Sequence, residues 1–155
     1  MSVTVRQILG LLQAAAPQEL ALSWDNVGLL VDAGKPVDGV LTALDITPAT
    51  VREARAVGCN VIVSHHPVIF RPLKELCQDD VPALLVREGV SAVCMHTNLD
   101  AAEGGVNDCL AQKLGLSGTI PLNEQKIGRI GTLSCEIPLE QFLHLSLIHI
   151  SEPTR

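Results

Sequence analysis

A chain of 155 residues with 47 % hydrophobic content and a mean hydropathy of +0.32 holds enough apolar material for one buried core and one domain. No apolar run approaches the roughly 20 residues that cross a bilayer, and the opening MSVTVRQILG has neither a basic leader nor a continuous apolar stretch, so no secretory signal is visible. A net charge of −6 with 11 dispersed Lys and Arg leaves no electrostatic footprint for nucleic acid, and one Trp, two Phe and no Tyr make no stacking platform for single strands.

Residues 4–15 carry Val5, Ile8, Leu9, Leu11, Leu12 and Ala15 at helical spacing behind Thr4 as N-cap, and Pro17 stops that helix. SWDNVGLLV then reads as a turn leading into a short strand, with Trp24 packed beneath the turn and a substrate role for Trp-Asp-Asn as the lesser alternative. AGKPVDG is punctuation. Val40–Leu44 is an apolar strand ending at Asp45. Thr47-Pro48 caps and opens a helix that Gly58 closes, and Asn60–Ser64 is a strand ending at His65-His66. Residues 79–89 read as a helix with acidic residues at its N-terminal end. Residues 90–95 are a strand ending at His96, 104–116 a helix closed by Gly115, 128–137 a further strand, and Pro138 opens another helix. Strands alternating with helices predict an α/β fold, a mainly parallel sheet with helices on both faces. Five scattered cysteines (Cys59, Cys77, Cys94, Cys109, Cys135), with no CxxC pair, are expected to be free buried thiols of a reducing cytoplasm.

Three successive strands end in polar groups: Asp45, then His65 and His66, then HTNLD (96–100). In an open parallel sheet these carboxyl ends share one rim, where ligands bind. Side chains alternate along an extended segment, and Pro67 keeps His66 out of the α region, so the two adjacent imidazoles are expected to point apart. Such a doublet suits two metal ions better than one. Two cations about 3.5–4 Å apart need a ligand that offers both of them oxygen, and Asp100 is the candidate. His96 is either a further ligand or a neighbour that orients one. Asp45 either braces its turn or joins His96 in proton transfer, while Thr97 and Asn98 fix the loop.

The segments SWDNVGLLV, GVLTALDITPATVREA, VIVSHHPVIFRPLK, HTNLDAAEGGVNDCLAQKLGL and IGRIGTL, in that order, resemble the Nif-three-like dinuclear metal-binding family, whose bacterial members are known as GTP cyclohydrolase 1 type 2 homologues. The resemblance spans about residues 4–145, and SHHP followed by HTNLD is its most specific part. It implies a cytoplasmic, ring-shaped homohexamer of two-lobed α/β subunits, each with two divalent metal ions in its cleft. His65 and His66 would bind different metals and Asp100 would bridge or ligate. Zn, Fe, Mn, Ni and Mg are all compatible with imidazole and carboxylate ligands. The family's remaining ligands, a His and a Glu four residues apart near the C-terminus, have no counterpart here.

Residues 1–145 are therefore expected to be the N-terminal lobe of a dinuclear metal-binding protein plus the start of a second lobe. Residues 146–155 are expected to be a non-native tail, because SLIHISEPTR resembles a translated sequencing adapter. An incomplete ligand set predicts weak metal binding or none, and an uncovered lobe face predicts exposed apolar surface. Two functions fit. One is a metal-dependent hydrolase acting on a small molecule through a metal-activated water. The other is a non-enzymatic metal-binding scaffold or regulator.

Overall fold

The computed structural model describes residues 2–151, with side chains to Ser146. Helix α1 (Val5–Ala15) starts at a capping box in which Gln7 N–H donates to Thr4 Oγ1 at 3.3 Å and Thr4 N–H donates to Gln7 Oε1 at 2.8 Å. Strands β1 (Gly28–Val31) and β2 (Val40–Ala43) lead to helix α2 (Pro48–Ala56), capped by Thr47 with Pro48 in its first turn. Strand β3 (Val61–Ser64), helix α3 (Val81–Glu88) and strand β4 (Ser91–Cys94) complete the first half. The acidic lead-in to α3 does not cap it: Asp80 Oδ2 instead accepts from Cys77 N–H at 2.7 Å.

These four strands form one sheet in the order β1-β4-β3-β2, with β2–β3 and β3–β4 parallel and β1–β4 antiparallel. The central pair, β3 and β4, is buried on both faces, in keeping with VIVS and SAVC being apolar but for one small serine each. Alternation sorts their side chains. Ile62 and Ala92 pack with Val51 and Ala54 of α2 and Leu85 of α3 on one face, while Val61 and Val93 pack with Val5 of α1, Ala16, Met95 and Ala102 on the other. The sheet is thus covered by helices on both faces, the arrangement the alternating sequence predicts.

The second half begins with a one-turn helix, α4 (Thr97–Ala101), so HTNLD is helical where the sequence suggests a loop. Helix α5 (Val106–Lys113) follows, then strands β5 (Leu116–Pro121) and β6 (Arg129–Leu133) as a separate antiparallel pair, and helix α6 (Leu139–Ser151). Strand β5 has no clear sequence signal, because Gly118 at φ +61° interrupts its alternation and its register with β6 shifts between Ser117 and Ile120. Apolar side chains stand exposed here at Ile120, Leu122, Ile130, Leu139 and Leu143. The expected non-native tail falls largely outside the described residues, 152–155 entirely and 147–151 in their side chains.

All five cysteines are free, but Cys77, Cys109 and Cys135 are exposed and only Cys94 is fully buried, which corrects the expectation of buried thiols. Three of them lie in loops or on the outer face of α5, where no strand or helix periodicity draws them inward. Among the described residues, no helix is long and apolar enough to cross a membrane.

Candidate metal centre

Parallel register makes the site. Ala43 pairs with Ser64 and Ser64 with Cys94, so β2, β3 and β4 end at one level and Asp45, His65, His66 and His96 emerge on one rim. Strand β1 runs the other way, with Gly28 opposite Cys94, so the residues that precede it, Trp24-Asp25-Asn26, arrive at the same rim.

His65 and His66 do not point apart. Their ring centroids are 5.1 Å apart, and those of His96 lie 5.1 Å from His65 and 5.8 Å from His66. One ring nitrogen from each of the three lies within 4.8 Å of the others. The alternation assumed from the sequence ends at Ser64. The consecutive N–H groups of His65 and His66 donate to the consecutive carbonyls of Ala43 and Leu44 at 3.1 and 2.9 Å, whereas a regular ladder uses alternate residues. Ser64 Oγ also donates to the His66 carbonyl at 2.8 Å. The strand tip therefore curls and turns both rings to one side.

Each imidazole is held by its Nδ1. His65 Nδ1 donates to the Met95 carbonyl at 3.1 Å, His66 Nδ1 to Asp45 Oδ1 at 2.7 Å, and His96 Nδ1 to Asp25 Oδ1 at 2.9 Å. A carbonyl or carboxylate oxygen only accepts, so in the neutral rings the proton sits on Nδ1 and Nε2 carries the lone pair. Metal-ligating histidines are oriented in this way. Asp100, on α4, places Oδ1 3.8 Å from His65 Nε2, beyond hydrogen-bonding range. Two lone-pair atoms at that separation can share one cation with bonds of about 2.0–2.2 Å. The donor set therefore fits a divalent metal. The sequence-derived candidates His65, His66, His96, Asp45 and Asp100 all come to this rim, with Asp45 behind His66 rather than facing the cluster.

Asp25 is the site residue that sequence reasoning missed. Its side chain is fully buried. Oδ2 accepts from Thr97 N–H at 3.1 Å and from the Thr97 hydroxyl, and Thr97 Oγ1 in turn accepts from Leu22 N–H at 3.0 Å. Burial pushes the Asp25 carboxyl up, but the hydrogen bonds from Thr97 and His96 outweigh it, and the net shift is downward. Asn98, also buried, accepts from His96 N–H at 3.0 Å and donates to the Ala16 carbonyl at 2.9 Å, tying α4 to the end of α1. Trp24 is 58 % exposed, not packed beneath its turn.

Beside the cluster, Asp45, His66, Pro67, Val68, Leu73 and Asp80 line a cleft of about 380 Å³. A larger concavity of about 1010 Å³ between β6 and α6 includes none of the three imidazoles. The glycines of EGG (103–105) offer no anion site, because Gly104 N–H is taken by Asp108 Oδ2 at 2.7 Å and Gly105 N–H by the Ala102 carbonyl at 3.1 Å.

Residues 3–149 match the profile of the family described as Duf34/NIF3 (NGG1p interacting factor 3). The chain is 42 % identical over 125 residues to a GTP cyclohydrolase 1 type 2 homolog of Lactococcus lactis, covering 76 % of this chain and 48 % of that protein. A Staphylococcus aureus protein of the same description is 40 % identical over 126 residues, covering 79 % of this chain and 34 % of its own length. The crystal structure of a Bacillus cereus protein related to NIF3 superposes with a TM-score of 0.72 at 40 % identity, over 79 % of this chain and 35 % of that one. Reduced HcgD from Methanocaldococcus jannaschii gives a TM-score of 0.83 at 26 % identity, over 96 % and 60 %. The chain thus spans about half or less of the curated relatives it matches. With its profile matched over nearly the whole chain, the protein belongs to the Duf34/NIF3 family.

Proposed function

We propose that this chain carries the ligand set His65, His66 and Asp100 of a dinuclear divalent-metal centre, and that the protein acts as a hydrolase on a small molecule. The observation that supports a metal is the set of three imidazoles, each with Nδ1 tied to an oxygen, while a second ion follows only from the family resemblance and the Asp100 carboxylate beside His65. Divalent cations so held supply Lewis acidity, making water nucleophilic near neutral pH and offsetting negative charge that develops on the substrate. His96, steadied by Asp25, presents Nε2 to accept or return a proton at the reacting group. Asp45 holds the His66 ring and acts as a positioning residue. Zn, Fe, Mn, Ni and Mg all remain compatible with these donors.

The names of the curated relatives point to GTP as a first substrate to test. The partial span is in keeping with reading residues 1–145 as a first lobe with the start of a second; that the full-length protein is a cytoplasmic homohexamer follows from the family resemblance alone. This chain alone is then expected to bind cations more weakly than micromolar, and His65→Ala or Asp100→Ala to remove what binding there is. Tight binding of two ions, or binding indifferent to both substitutions, would contradict the ligand assignment.

Turnover is tested on a full-length relative, screening GTP and phosphoesters with Mn, Zn, Fe and Mg in turn. A hydrolase loses turnover when the residue matching His65 or Asp100 becomes Ala. Absence of turnover from a relative that keeps its oligomer would favour the non-enzymatic scaffold.

A further inference from the structure

The chain has three aromatic side chains, Trp24, Phe70 and Phe142, and none of them is in the buried core. Two meet at the rim of the histidine cluster. The Trp24 and Phe70 centroids are 5.9 Å apart at 65°, and Trp24 lies 6.4 Å from His96 at 73°. These edge-on contacts leave the indole 58 % and the Phe70 side 45 % exposed. A core use of the rings would bury them; here the largest apolar side chains of the rim face water beside the donor atoms.

The support beneath the rings is rigid. Asp25, next to Trp24, is locked to His96 and Thr97, and its N–H donates to the Leu22 carbonyl at 2.9 Å. Asn26 Nδ2 donates to the Ile69 carbonyl at 2.6 Å, which ties the Trp24 turn to the segment that carries Phe70. The three residues of Trp-Asp-Asn thus contribute differently, supplying an exposed ring, a clamp on His96 and a clamp on the neighbouring loop. Rings held in this way lose little freedom when a ligand stacks on them.

We propose that Trp24 and Phe70 form an aromatic wall that stacks the planar ring of a heteroaromatic substrate beside the three imidazoles. The inference rests on reading the cluster as the reactive centre, and it adds the residues that hold the substrate's ring. A planar, π-bearing ligand fits because base–aromatic stacking needs a ring face and no particular hydrogen-bond code. Edge-on neighbours leave such a face available.

Trp24 is the sole tryptophan, so intrinsic fluorescence of the whole chain reports on this wall alone. Guanosine is the probe and ribose 5-phosphate the ring-free control. Saturable quenching by guanosine and none by the control is expected, with Phe70→Ala weakening guanosine roughly tenfold and Phe70→Tyr restoring most of the affinity. Equilibrium dialysis should show the same loss for Trp24→Ala and a smaller one for Trp24→Phe. Absence of saturable quenching, or equal affinity in Phe70→Ala, overturns the proposal. So does a blue-shifted emission that grows with protein concentration and ignores guanosine, which would make the wall a contact between copies. The titration is repeated with a chelator, and cation binding is followed by calorimetry on the same samples. Quenching that survives while cation binding proves indifferent to His65→Ala and Asp100→Ala removes the ligand assignment alone, whereas cation binding that those variants lose, without quenching, removes the wall alone.

Discussion

Asp25 Oδ1 accepts from His96 Nδ1 at 2.9 Å across 71 residues of sequence, and the same carboxylate takes the Thr97 N–H and hydroxyl on its other oxygen. A buried acceptor thereby fixes both the orientation and the tautomer of one imidazole of the cluster. Asp25→Asn replaces an oxygen that accepts with an amide that donates, and faces at least one of these donors with an N–H. It is expected to cost about 1–3 kcal/mol of stability. If His96 ligates, cation affinity should also fall by about 10–100-fold. Thermal melts with and without metal, together with the His96 ring nitrogen shifts, check both parts. An unchanged His96 Nδ1–H signal in the variant would refute the clamp.

Asp45 makes the shorter contact, 2.7 Å to His66 Nδ1, yet both partners are about half exposed. Water can replace the Asp45 carboxylate, and it cannot reach Asp25. Asp45→Ala is therefore expected to lower stability by less than about 1 kcal/mol and to affect cation binding less than Asp25→Asn does. Parallel melts and calorimetry on the two variants read the order directly.

This contrast marks where the sequence stops being informative. His65, His66 and His96 are legible because they follow the apolar runs of the buried strands β3 and β4, Asp45 because it follows the apolar run of the more exposed β2, and parallel strands bring these carboxyl ends together. Asp25 has no such signature. It precedes β1, and only the antiparallel setting of β1 beside β4 carries it to the rim. Whether an edge strand runs parallel or antiparallel is decided by the connection and by packing, not by its four residues. The shared direction of His65 and His66 was hidden for a related reason: strand alternation holds up to Ser64, and hydrogen bonds to Ala43, Leu44 and His66 then bend the backbone.

Cys94 lies beneath the site, its thiol donating to the His65 carbonyl at 3.2 Å. Burial, with a further contribution from the negative charge of Asp25, pushes its pKa up to about 12. The reactive thiolate is thus scarce at any ordinary pH. Ellman's reagent on the native chain at pH 8 should modify the exposed Cys77, Cys109 and Cys135 readily and Cys59 more slowly. Cys94 should react only when the chain unfolds. Rapid native modification of Cys94, mapped by peptide mass, would contradict its burial.

The turn between α4 and α5 sets where Asp100 stands, and its two glycines are required for different reasons. Gly104 has φ +71° with open space around it, so Gly104→Ala meets backbone strain of about 1–2 kcal/mol and no clash. Gly105 has an ordinary φ of −77°, but a Cβ there would fall 1.9 Å from the Leu99 carbonyl oxygen and 2.9 Å from that of Ala102. Both obstacles are backbone and cannot rotate away. Gly105→Ala should therefore be the more damaging, by about 1–3 kcal/mol or more, and should shift Asp100 as well. Urea midpoints compared at constant slope distinguish the two; a milder effect at Gly105 would be inconsistent with this turn.

Arg129 of β6 ties the β5–β6 pair to α5 and to the end of α4. Its guanidinium is nearly buried, with Nε on Asp108 Oδ1, Nη1 on the carbonyls of Lys126 and Gly128 at 2.7 and 2.9 Å, and Nη2 on that of Ala102 at 3.3 Å. The hydrogen bond from Arg129, with another from Gly104 N–H, holds the Asp108 carboxyl below its ordinary value. A carboxyl whose pKa is depressed on folding stabilises the fold above the unfolded value of about 3.9 and loses that contribution as pH falls through the folded value. Asp108→Asn removes the charge at every pH. The stability gap between wild type and variant should therefore be constant from pH 8 down to about 5 and should shrink steadily below about 4, as wild-type Asp108 takes up its proton. Urea unfolding of both chains across that range measures the gap. A gap that stays level down to pH 2 would mean that Arg129 is held by its carbonyl partners alone and that Asp108 contributes no charge-dependent stability.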